Sequence, residues 1–156
     1  MDIQLSPSLE EVMNLDYTRQ VISESMRLYP PAWFIDRVAI NKDSVADVKI
    51  EKNEIIALYI FGLHRLEKYW AKPTQFIPER FEKSKLAEIP KNIYLPFGRG
   101  PRFCIGSQFA QIEMQLAIYH LLESFEFQLA SDYELELDAK ITIRPKNGLP
   151  LSMRIL

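Results

Sequence analysis

The sequence has little of what marks several protein classes. Among its 156 residues there is one cysteine, Cys104. No disulfide can form within the chain, which excludes a secreted, disulfide-stapled scaffold. There are two histidines, His64 and His120, and neither stands at a spacing that would complete a zinc site with Cys104. No run of about 18 apolar residues occurs, so no transmembrane helix is encoded. Net charge is small: 19 basic and 21 acidic side chains leave −2, unlike the strongly basic balance of a general nucleic-acid binder. Met1-Asp2-Ile3-Gln4-Leu5 lacks the basic start and apolar segment of a secretory signal. Neither an internal repeat nor a low-complexity tract is present.

What is there describes a folded chain. Apolar residues make up 47% and aromatics 12%, which argues against disorder. The length suits one domain. Five of the ten prolines, Pro73, Pro78, Pro90, Pro96 and Pro101, fall in one stretch. Proline lacks an N–H and fixes φ, so that stretch reads as an ordered, winding loop.

The flanks are more regular. Ser8-Leu9-Glu10-Glu11 has the form of a capping box. A helix is expected from Asp16 to Tyr29, with Val21, Ile22, Ser25, Met26 and Tyr29 on one face and Pro30-Pro31 as its stop. Strands are expected at Phe34–Ile40, around Val48 and Ile50, and at Ile55–Phe61. Asn53 supplies positive φ in the turn before the last. Ile105–Ser124 reads as the longest helix, apolar enough to be buried on more than one side. Tyr133 to Arg144 alternates apolar and polar residues. Asn147-Gly148 signals a hairpin turn, with Leu149–Ile155 as the return strand. The glutamates of this tail read as a strand's solvent face. The order of elements makes an α+β chain.

The decisive stretch is Phe97-Gly98-Arg99-Gly100-Pro101-Arg102-Phe103-Cys104-Ile105-Gly106. A cysteine sits on a Gly/Pro-rich loop that runs into a helix start, where free N–H groups favour a thiolate. Gly100 and Gly106 let the backbone pass close to something flat and bulky. Arg102 is placed to meet an anion at that object's edge. A lone cysteine by itself is more often a small buried core residue. Phe-x-x-Gly-x-Arg-x-Cys-x-Gly, however, fixes five residues in ten, a chance match on the order of one in ten thousand or rarer in such a chain.

This pattern resembles the haem-binding signature of the cytochrome P450 family, the haem-thiolate monooxygenases. The resemblance implies a haem cofactor with Cys104 as its axial iron ligand, Arg102 on a propionate and Phe97 packed beside the sulfur. Glu24-Ser25-Met26-Arg27 matches the family's Glu-x-x-Arg motif, although alone it equally describes an exposed ion pair. Phe76-Ile77-Pro78-Glu79-Arg80-Phe81 resembles its "PERF" element. Together they imply a structural triad of Glu24, Arg27 and Arg80 that locks the core. Arg37 stands where the family often binds a second propionate; the alternative is an ion pair with Asp36 or Asp43. Ala32, Trp33, Phe34 and Ile35 match a segment lining the substrate pocket, with ordinary core as the alternative for Trp33 and Phe34. Ile141 matches a second pocket-lining turn. His64-Arg65 with Trp70 matches a stretch read as structural, and His120 needs no functional account.

By this resemblance the chain is an α+β portion of the mainly helical P450 fold, residues 1–156 forming its C-terminal, ligand-bearing part. The N-terminal two-thirds, with the central helix and its acid–threonine pair, is not found. Helices that normally meet that part are expected to expose large apolar surfaces. The implied partners are a small apolar organic substrate, the missing P450 segment and a redox partner (a ferredoxin, a flavodoxin or a reductase), the last meeting Lys91, Arg99 and Arg102. A cytoplasmic location follows unless an anchor lies upstream. Two alternatives remain: a truncated or split-gene haem-binding fragment without turnover, and a thiol-dependent enzyme using Cys104 as nucleophile, for which no histidine is placed to activate the thiol. The chain departs from the family at Glu51-Lys52-Asn53, where Pro-Lys-Gly is usual, and at Leu66-Glu67, where Asp-Pro often follows His-Arg.

Overall fold

A computed structural model of the chain describes residues 7–156, so the reading of residues 1–5 falls outside it. The first helix, α1, spans Leu9–Met13 and starts on the expected capping box. Glu11 N–H donates to Ser8 Oγ (3.2 Å), and Ser8 N–H donates to the Glu11 carboxylate (2.8 Å). Both termini of the motif satisfy donors that a helix start otherwise leaves open. α2 spans Asp16–Leu28. It buries Ile22, Met26 and Leu28, but also Gln20, Glu24 and Arg27. The apolar face read from the sequence is therefore only partly covered. Val21, Ser25 and Tyr29 instead line an open apolar cavity of about 370 Å³ shared with Met114, Ala117 and Ile118 of the long helix.

Four two-stranded antiparallel sheets follow. β1 (Ile35–Val38) pairs with β4 (Ile55–Leu58), and β2 (Asp43–Val45) pairs with β3 (Val48–Ile50). Asn53 has φ +68°, the left-handed turn expected of it. The third expected strand stops early. After Leu58 the chain turns into a short helix, α3 (Ile60–Leu63), because helical spacing brings both Ile60 and His64 into the core. The proline-rich stretch is irregular but ordered, with 3₁₀ turns at Pro78–Phe81, Leu86–Glu88 and Gly100–Arg102. Trp70, Phe81 and Ile93 form its buried centre, packed by Leu63, Ile89 and Tyr94. Tyr94 donates its hydroxyl to Ser23 O (3.0 Å), tying the loop to α2; burial pushes this phenol's pKa upward.

The long helix α4 covers Ser107–Ser124. It contacts α1, α2 and β5, yet only Ser107 and Gln115 are buried on it. Burial on more than one side does not occur: Phe109, Leu121 and Leu122 are exposed, because the described chain offers neighbours along one strip only.

The tail also differs from the expected hairpin. β6 (Leu137–Ala139) turns back on β7 (Ile143–Pro145), so the hairpin folds at 140–142. Gly148 does take positive φ (+72°), but the chain beyond it does not return on β6 or β7. β8 (Leu151–Ile155) pairs with β5 (Phe125–Leu129), a strand not anticipated after the helix. Alternation fixes strand conformation but not the partner. The pairing chosen opposes Phe125 with Ile155, Phe127 with Met153 and Leu129 with Leu151, and sets Arg154 against Glu126.

Candidate haem-ligand site and its buried clamp

Helical spacing of three places Glu24 and Arg27 on the same side of α2, where both are fully buried. Arg27 grips the carboxylate with two parallel bonds, Nε to Oε2 (2.7 Å) and Nη2 to Oε1 (2.8 Å). Its remaining donors reach carbonyls far along the chain: His64 O (2.7 Å), Pro73 O (2.8 Å) and Gln75 O (3.2 Å). Glu24 Oε1 also accepts from Ile77 N–H (2.9 Å). Arg80 approaches the same oxygen at 3.4 Å, while its Nη2 donates to Lys72 O (2.9 Å). The three residues of the suggested triad therefore meet, but unequally. Glu24 and Arg27 form the short, bidentate, dry pair, and Arg80 is a longer arm at its rim.

His64 lies beside the clamp and is fully buried. Its Nδ1 is 3.2 Å from Arg27 O, and its Nε2 accepts the Leu95 N–H at 2.8 Å. Burial is the main reason its pKa falls from 6.5 to about 4; the cations of Arg27 and Arg65 add to it. Sequence reading gave His64 no more than a structural label. Its partners are all backbone groups of distant residues, and a sequence gives no signal for those.

Leu95 opens the cysteine loop. Gly98 N–H donates to Leu95 O (3.1 Å), and Cys104 N–H donates to Phe97 O (3.0 Å), closing the loop at its base. Gly98 and Gly100 take φ of +73° and +76°, the left-handed conformation that side-chain-bearing residues avoid. Gly106 does not; it caps α4 at φ −85°. Cys104 is exposed three residues before α4, and Ser107 N–H donates to its carbonyl (3.3 Å).

The surroundings of Cys104 carry chemistry suited to a flat apolar group with acidic edges. Phe103, Ile105 and Phe109 are 51%, 102% and 73% exposed, an apolar rim left uncovered among the described residues. Arg102 is exposed and pairs with no carboxylate among the described residues. Arg37 makes neither of its suggested ion pairs: its guanidinium donates to Asp36 O (2.6 Å) and is otherwise open. Its strand touches the loop, since a Cβ built on Gly98 would lie 3.4 Å from Ile35 Cδ1. Among the described residues no group of three His, Cys, Asp or Glu side chains is placed to hold a metal ion. Cys104 thus belongs to no all-protein metal cage among the described residues. A soft sulfur donor, an apolar rim and two open guanidinium groups match an iron porphyrin with two carboxylates.

The suggested pocket strip, Ala32 to Ile35, leads into β1. Trp33 donates Nε1–H to Lys140 O (2.8 Å), and Ile143 N–H donates to Pro31 O (3.1 Å). These bonds tie the turn carrying Ile141 to Pro31 and Trp33. Ile141 is 90% exposed and Phe34 38%, so neither is ordinary core. No helix of the described residues is long and apolar enough to cross a membrane.

Comparison with known proteins gives a consistent result. A family model described as Cytochrome P450 matches residues 2–151. Cytochrome P450 3A18 of Rattus norvegicus is 40% identical over 136 residues, covering 87% of this chain and 27% of that protein. Cytochrome P450 3A31 of Mesocricetus auratus is 35% identical over 149 residues, covering 94% of this chain and 30% of that protein. Among solved structures, the haem domain of cytochrome P450DA superposes with a TM-score of 0.91 at 29% identity, over 97% of this chain and 33% of that one. The chain thus spans less than a third of the length of these curated relatives.

Proposed function

This chain belongs to the cytochrome P450 family, and from that premise we propose that it is the ligand-bearing part of a haem-thiolate monooxygenase acting on an apolar organic substrate. The observation that carries the reading is the exposed Cys104 thiol on its glycine loop, ringed by uncovered apolar side chains and flanked by the unpaired Arg102. When bound, haem supplies the oxygen-activating chemistry of the family, inserting one oxygen atom into substrate at the cost of two electrons and protons. Cys104 holds the iron as thiolate and pushes electron density toward it. Arg102 and Arg37 pair with the propionates. Phe97 would pack beside the sulfur, and Gly100 and Gly106 would leave room for the ring.

Ala32, Trp33, Phe34, Ile35 and Ile141 form one apolar wall for substrate. Lys91, Arg99 and Arg102 give the loop side positive charge for an acidic electron donor, a ferredoxin, a flavodoxin or a reductase domain. Turnover is assigned to the complete family fold, of which these residues form about a third of the length. The uncovered faces of α2 and α4 favour that division of labour.

The test is spectroscopic. The chain is loaded with haem, reduced and exposed to CO. Thiolate ligation gives the family's far-red-shifted Soret band, and Cys104→Ala abolishes it. A spectrum of nitrogen ligation, or an unchanged band in Cys104→Ala, overturns the assignment.

A further inference from the structure

We propose that His64 is a positioning residue for the Cys104 loop, held as the neutral Nδ1–H tautomer so that its Nε2 accepts the Leu95 N–H and fixes where the loop begins. The inference deepens the proposed function and rests on Cys104 being the metal ligand.

The tautomer follows from the partners. Arg27 O is a carbonyl and only accepts, so Nδ1 carries the proton at 3.2 Å. Leu95 N is an amide and only donates, so Nε2 offers its lone pair at 2.8 Å. Backbone groups cannot exchange these roles, and the neutral ring is the single state that satisfies both. A proton on Nε2 would point one donor at another inside a dry site. From Leu95 the path to sulfur is short. Leu95 O holds the Gly98 N–H (3.1 Å), and Phe97 O holds the Cys104 N–H (3.0 Å). On the other side, Arg27 Nη1 donates to His64 O (2.7 Å) while Arg27 O receives the ring. The histidine therefore transmits the clamp's position to the ligand loop.

The groups facing the ring are two cations, Arg27 and Arg65, the Tyr94 ring at 5.3 Å, and Glu24 across Arg27. Burial and the cations oppose protonation and hold the pKa at about 4. The loop's anchor is thus intact at neutral pH and opens only in acid.

Hydrogen exchange at the Leu95 amide, read by fragmentation mass spectrometry on the haem-free chain, tests this directly. The wild type should protect Leu95 at pH 7 and lose that protection, after correction for intrinsic rates, as pH falls through about 4. His64→Gln keeps a neutral acceptor near the same place. It should keep the protection and lose its pH dependence. His64→Leu should exchange about tenfold faster or more at pH 7, the factor expected when a buried donor loses its acceptor. In the haem-loaded chain, the thiolate band should fade with acid in the wild type at higher pH than in His64→Gln. An acid profile for His64→Gln that matches the wild type overturns the proposal, as does a folded His64→Leu with wild-type Leu95 exchange. Should His64→Leu fail to fold, the comparison of His64→Gln with the wild type decides alone. A spectrum without thiolate ligation in the wild type would instead overturn the haem assignment, leaving the Leu95 result to stand separately.

Discussion

Removing the Glu24 carboxylate is the most severe single change the structure offers away from Cys104. In Glu24→Ala, Arg27 loses two bonds of 2.7 and 2.8 Å and Ile77 N–H loses its 2.9 Å acceptor. Arg27 cannot rotate into water, because it is wholly buried and its other donors are held by three carbonyls. A buried charge left without its partner costs about 3–5 kcal/mol. Domains of ordinary stability have roughly 5–15 kcal/mol in total. The variant should therefore lose about a fifth or more of its stability, and its thermal midpoint should fall by on the order of 10 °C. Arg80→Ala removes a 3.4 Å contact to Glu24 and a 2.9 Å bond to Lys72 O at a partly exposed rim, and about 1–2 kcal/mol is expected. Thermal and urea unfolding followed by far-UV circular dichroism measure both. The reasoning is refuted if Glu24→Ala melts within about 2 °C of the wild type, or if Arg80→Ala is the more damaging.

Other outcomes follow from the same geometry. His64 is neutral in the folded chain and titrates near 6.5 when unfolded, so below 6.5 the unfolded state binds the extra proton. Stability should be fully present above that pH and decline by about 3 kcal/mol down to pH 4, a slope that His64→Gln removes in denaturant titrations. Arg102→Ala should weaken haem affinity about tenfold while leaving the far-red Soret position unchanged, since it removes one partner of a carboxylate and not the sulfur; equilibrium haem titration reads this, and unaltered affinity argues against propionate pairing. With Ile105, Phe109, Leu121 and Leu122 uncovered, the purified chain should self-associate in a concentration-dependent way by sedimentation velocity. A monomer across the concentration range would contradict that expectation.

Local signals were legible where chemistry is local. Ser8 and Glu11 close a capping box that four adjacent residues specify, and Asn53 takes the positive φ that its side chain tolerates. Glu24 and Arg27 share a helix side by spacing alone. What the sequence withholds is the partner. Leu149–Ile155 alternates as any strand does, and only the fold selects Phe125–Leu129 as its mate over the nearer Tyr133–Arg144. The long helix reads as deeply buried because Phe109, Leu121 and Leu122 are apolar, yet hydrophobicity states what a surface prefers and not whether a neighbour is supplied. The candidate site divides in the same way. Cys104, Arg102 and the glycines stand in one short motif, whereas His64 joins Leu95 and Arg27 from 31 and 37 residues away.

The single thiol of this chain is committed to an exposed loop, so no covalent cross-link ties its distant parts together. Arg27 performs that task with nitrogen: one planar head holds its own helix to the backbone at His64, Pro73 and Gln75. Such a fastening is indifferent to oxidants and reductants, since nothing in it can gain or lose electrons. Redox conditions that alter Cys104 will therefore leave the framework around it standing, and the loop's reactive atom and its anchorage respond to separate cues.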